Sequence, residues 1–149
     1  MIRLPLIIAV ALGLAACTTP PSPAVLTDAR LVIAGVQALD GVLLNVPGVT
    51  AGDITLGNDV LCVISDGVAR AQNGTITQAA LAQIVNVEIN HLAPILLSDF
   101  NANATITAGV NALLGLSNAM IMPMASARFA AAADPRVDVR AFVAAHPVR

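Results

Sequence analysis

The sequence predicts an all-α protein, a small bundle of about four helices followed by a short C-terminal helix. Three observations carry that prediction. Apolar residues recur at helical spacing through most of the chain after residue 25. Turn-forming residues cluster at 46–49, 73–76 and 99–104 and divide the chain into helix-length pieces. No stretch sustains the period-two alternation of a half-buried strand, although Val, Ile and Thr are common in 46–64.

The first helix is expected to open at Leu26-Thr27-Asp28, with Thr27 as cap and Asp28 at the positive helix end, and to run to about Asn45 before Pro47-Gly48. The second opens at Thr50 with Asp53 three residues on, the spacing of a capping box, and ends at Asn73-Gly74. Val60, Ile64, Val68 and Ala71 share its apolar face, and Asn58, Asp59, Asp66 and Arg70 the polar one. The third starts at Thr75 or Thr77, with Gln78 as the box partner of Thr75, and ends near Ser98-Asp99. Leu81, Val85, Ile89, Leu92 and Leu96 form its stripe, and Pro94 predicts a kink. The fourth starts near Thr105 and weakens at Pro123. A short fifth starts at Asp134-Pro135, an N-cap followed by Pro at the first helical position, with Val139, Phe142 and Val143 on one face.

One internal echo stands out. Residues 34–41, AGVQALDG, and 108–115, AGVNALLG, agree at six of eight positions. In each copy two Ala and the last Gly fall at i, i+4 and i+7. That spacing predicts a smooth stripe where another helix can come close. Residues 100–127 carry no formal charge and are long enough to span a bilayer, but Asn103, Thr107, Asn111, Ser117 and Asn118 interrupt them. A buried bundle helix with a thin wet edge along Thr107, Asn111 and Asn118 is the expectation.

Composition narrows function more than it defines it. Charged residues are 11% of the chain against a usual ~25%, all seven basic residues are Arg, and the net charge is −2. Seven dispersed Arg make no basic stripe, so no nucleic-acid partner is expected. A chain that is 57% hydrophobic is not of the disordered class. Two Cys make no disulfide scaffold.

The N-terminus speaks of destination. Met1-Ile2-Arg3 is followed by an apolar run over 4–14, then Ala15-Ala16-Cys17 and Pro20-Pro21-Ser22-Pro23. The run is too short to cross ~30 Å of hydrocarbon at 1.5 Å per residue, and reads as a secretory signal. Leu14-Ala15-Ala16-Cys17 resembles the lipobox of bacterial lipoproteins. The resemblance covers only about the first twenty residues. It implies that 1–16 are removed as a signal peptide, that Cys17 is acylated through its thiol, and that 17–25 form a lipidated, Pro-rich tether to a helical domain over 26–149. It also implies a membrane partner through the lipid at Cys17, at the periplasmic face. Thr18 in place of Asp after the Cys implies the outer membrane. The mature chain would carry six Arg against nine acids, a net charge of −3.

Chemistry-bearing residues are sparse. Glu88-Ile89-Asn90-His91 has the Glu-x-x-His spacing of di-iron helices, but Glu88 is the only Glu and a surface pair is the expectation. Cys62 and His91 form no oriented nucleophile pair. Asp59 and Asp66 beside Cys62 are the opposite of the electropositive surroundings that a nucleophilic Cys uses. Met120-Ile121-Met122-Pro123-Met124 reads as core packing rather than a soft metal site. His146 reads as a solvated or helix-end residue. The sequons at Asn73 and Asn103 read as a turn and a helix start. No phosphate loop, paired-His motif or nucleophile elbow occurs, so the expectation is no enzyme, no cofactor, no metal site and no catalytic residue.

With Cys17 acylated, Cys62 is the one free thiol. It lies on the polar arc of its helix between Asn58 and Asp66, a surface thiol that can join two copies by an intermolecular disulfide. The leading expectation is a membrane-anchored lipoprotein of the bacterial envelope with a non-catalytic structural or interaction role, its partner a second copy or another envelope protein. The alternatives are a carrier of an apolar ligand between helices and a holin-like, membrane-active protein.

Overall fold

The structure, a computed structural model, describes residues 23–121 and 134–148. Among these there are five helices and no strand: α1 (Pro23–Leu43), α2 (Ala51–Gln72), α3 (Gln78–Asp99), α4 (Ala104–Ile121) and α5 (Pro135–Ala145). The all-α bundle with a short fifth helix is therefore the architecture. Short turns make α1 to α4 alternate in direction. α5 lies against α1 and α4, parallel to the first and antiparallel to the second: Arg136 meets Asp28, Pro135 lies nearest Gly115, and Phe142 faces Gly109.

Local chemistry explains the helix ends. Thr50 and Asp53 close a reciprocal capping box, the Asp53 carboxylate accepting from the Thr50 amide at 2.7 Å. Thr77, not Thr75, caps α3, its hydroxyl accepting from the Ala80 amide. Asn103 caps α4 by accepting from the amides of Thr105 and Ile106. Asp134 caps α5 ahead of Pro135. Gly74 follows the α2 C-cap Asn73 at φ +71°, a conformation that costs Gly nothing and other residues more. Both sequons thus serve as a turn and a helix start.

α1 departs from its expected limits. It begins at Pro23 rather than at Thr27, so helix already occupies the last part of the expected 17–25 tether. Pro suits a first turn, where its missing N–H has no helical acceptor, and Val25 and Leu26 pack against the core. Asp28 is therefore inside the helix rather than at its start. It is 5% exposed and takes a bidentate pair from Arg136, Nε to Oδ1 and Nη2 to Oδ2 both at 2.7 Å. That hydrogen bond raises the Arg136 pKa above its usual value. α1 also stops at Leu43, two residues early, with the Asn45 side chain returning to the Gly41 carbonyl.

The core follows the predicted stripes. Leu81, Val85, Ile89, Leu92 and Leu96 of α3 are all buried, and so are Val60, Ile64, Val68 and Ala71 of α2. α3 runs through Pro94, which sits on its exposed side. α3 and α4 are each long and apolar enough to cross a membrane by length and composition. Ile106, Val110, Leu113 and Leu116 of α4 are buried in the bundle core.

The small-residue stripe is corrected in part: Ala38 is buried in the core and Ala112 packs against it, but the other members do not mark the close approaches. Gly41 has nothing within 4 Å of where a Cβ would stand, and Ala108 and Gly115 are exposed. The close approaches lie one residue along in each echo, at Gly35 and Gly109. A Cβ on Gly35 would stand 2.7 Å from Leu113 Cδ2 and 3.2 Å from Val139 Cγ1. A Cβ on Gly109 would stand 2.5 Å from Phe142 Cζ. The two glycines form a trough that receives α5. The wet edge of α4 is corrected in part: Asn111 and Asn118 are exposed, but the Thr107 hydroxyl is buried without a hydrogen-bond partner among the described residues.

Candidate functional site: the cleft at the end of the bundle

An open cleft of about 940 Å³ lies at the end of the bundle where α1 and α5 terminate. The last turn of α1 supplies Asp40, Gly41 and Leu44, α2 supplies Asn58 and Leu61, and the start of α4 supplies Asn103 and Thr105. The residues after α5, His146 to Val148, form the remaining wall. A second opening, of about 510 Å³, lies beside Val25, Met120 and Ile121.

Asp40 is the chemical centre of the cleft. Its carboxylate rests on the backbone of Gly57, where any Cβ on α2 would collide with it. Burial pushes its pKa from 3.8 up to about 6. No hydrogen bond or ion pair reaches it among the described residues. His146 is the C-cap of α5 and stacks at a tilt on Phe142, the ring centroids 4.8 Å apart. Among the described residues, these two are the titratable groups lining the cleft. The walls carry two of the most exposed large apolar side chains, Leu44 (71%) and Val148 (61%).

The residues singled out from sequence fall elsewhere or apart. Cys17 and the signal segment lie outside the described residues, as do Met122 to Met124. Cys62 is a free, exposed thiol on α2, the surface position its helical angle predicts. Glu88 and His91 remain on α3. No group of three His, Cys, Asp or Glu that could hold a metal gathers among the described residues. Met120 packs against the core. Sequence reasoning missed Asp40 altogether. The available signal was a carboxylate in the last, apolar turn of a helix, where an anion faces the negative helix end.

Comparison with protein-family models, curated proteins and solved structures gives no match for this chain.

Proposed function

We propose that the chain is a small lipoprotein of the bacterial envelope, anchored through acylated Cys17, whose helical domain has a non-catalytic structural or interaction role. The observation that carries this is the Leu14-Ala15-Ala16-Cys17 end of a short apolar leader, followed closely by the start of a packed helix at Pro23. Acyl chains on Cys17 give firm anchoring, since each buried methylene contributes about 0.8 kcal/mol and two or three chains act together.

The fold supports an arrangement in which one end of the bundle faces the membrane. Six Cα steps separate Cys17 from Pro23, a reach of at most about 20 Å. Asp40 lies 17 residues further along α1, about 25 Å at 1.5 Å per residue. With α1 upright on that tether, the cleft would lie on the side of the bundle away from the bilayer. The carrier reading draws its support from the same cleft, which opens at the bundle end rather than between the helices.

Metabolic labelling with radioactive palmitate tests the anchor. Label should enter the wild type and not Cys17→Ser, and mass spectrometry should find the mature N-terminus at Cys17. An unmodified Cys17, or a mature N-terminus elsewhere, overturns the proposal.

A further inference from the structure

We propose that the cleft at the C-terminal ends of α1 and α5 is a binding site for a small organic cation bearing an apolar group, held by the Asp40 carboxylate. The inference does not depend on acylation of Cys17.

At the end of α1 every backbone acceptor is satisfied. The Asp40 carbonyl accepts from the Leu44 amide, Gly41 from the Asn45 side chain, Val42 from the Asn45 amide and Leu43 from the Val46 amide. All four carbonyls that a helix end leaves open are thus satisfied within the chain. The nearby Asn103 Oδ1 is taken by the α4 cap. The Asp40 carboxylate is the acceptor left over: partly desolvated, without a hydrogen-bond or ion-pair partner among the described residues, and lining an open cleft.

The charge in the cleft selects a cation. α1 and α5 run parallel and present their negative ends here, neither with a basic residue in its last turn, while the start of α4 brings its positive end, so the helix ends partly offset one another and the Asp40 carboxylate sets the preference. No Arg is among the described lining residues. An anion would meet the Asp40 carboxylate. A neutral ligand would strip water from Asp40 and return at most an uncharged hydrogen-bond donor, without the compensating charge. A protonated amine offers hydrogen-bond donors and the missing charge together. The apolar part follows from Leu44, Val46, Leu61 and Val148, which leave hydrocarbon surface beside the carboxylate. The volume lies within the ~300–1,000 Å³ of small-molecule sites.

The test is a titration of the full chain, in zwitterionic nanodiscs, with hexylammonium, hexan-1-ol and hexanoate, read by backbone amide shifts. Hexylammonium should move Leu61, Asn103 and Val148 saturably, and bind about tenfold more tightly than either matched probe. Asp40→Asn should remove that preference. Leu44→Ser, at a position already exposed, should weaken binding while leaving the spectrum of the fold intact. Because Arg149 follows Val148 in the sequence, the titration is repeated with Arg149→Ala. Tighter binding there, or binding seen only there, supports the site and shows the chain's own cation competing for it. Equal response to the three probes, a preference that survives Asp40→Asn, or no cleft response in wild type and Arg149→Ala alike overturns the proposal.

Discussion

Replacing Gly109 with Ala tests how α5 is held. The added Cβ would stand 2.5 Å from Phe142 Cζ, 2.7 Å from Cε2 and 3.0 Å from Cε1. Carbon atoms prefer 3.5–4.0 Å, so the ring must retreat by about 1 Å. Phe142 is 9% exposed and its ring already lies against His146, which leaves it little room to move. Overpacking of this kind costs about 1–3 kcal/mol, while Gly→Ala inside a helix returns about 1 kcal/mol. The net expectation is a loss of about 1 kcal/mol. Gly41→Ala is the control: it lies in α1 with nothing within 4 Å of the new methyl, so it should gain about 0.5–1 kcal/mol. Urea unfolding of a chain beginning at residue 17 with Cys17→Ser measures both, and equal m-values would show that only stability changed. Phe142→Leu made in the Gly109→Ala background should cost less than in wild type, because the smaller side chain relieves the clash. Equal stabilisation by the two Ala variants would refute the trough.

Three further outcomes are expected. Arg136→Leu should cost about 3 kcal/mol, because it leaves the Asp28 carboxylate buried and unpaired, and Asp28→Leu with Arg136→Leu should cost less than the single change in thermal or urea unfolding. Asp40 binds its proton more tightly folded than unfolded, so its contribution to stability is full below pH 3.8 and lost as pH rises through about 6. The shift corresponds to about 3 kcal/mol, reduced to roughly 1 kcal/mol because the half-exposed carboxylate keeps part of its hydration. Unfolding at pH 4 and pH 7.5 should therefore show Asp40→Asn gaining on wild type at the higher pH, and a constant difference would contradict it. Cys62 should be modified to completion by a maleimide in the native state, without unfolding, and non-reducing gels of wild type and Cys62→Ser would reveal any disulfide-linked pair.

What the sequence reveals here is what neighbouring residues decide. The Thr50–Asp53 box, the Asp134-Pro135 start and the Leu81-to-Leu96 stripe are local patterns, each written within one helix, and each is found in the structure. The start of α1 was misplaced because Thr27-Asp28 looks like a cap when read alone. What makes Asp28 an interior residue is Arg136, 108 residues away, and no local pattern records that pairing. The echo drew attention to the right segments and the wrong residues. Spacing finds a smooth stripe, but only the partner's side chains show that the tight approaches are at Gly35 and Gly109, rather than at Gly41 and Gly115. Asp40 escaped for the same reason, since its burial is made by Gly57 of the next helix.

The two devices that hold α5 also determine the cleft. Asp28–Arg136 fixes the first turn of α5, and the Gly35–Gly109 trough fixes Val139 and Phe142 one and two turns later. Since α5 has only 11 residues, these contacts leave its last turn no independent course. His146 to Val148 must follow it onto the cleft, which they line together with residues of α2 and the start of α4. Isolated helices of this length are marginal in water, so α5 owes its helicity to that docking. The cleft wall is therefore built by a segment whose order depends on contacts made closer to the N-terminus of α1, the end that bears the proposed anchor.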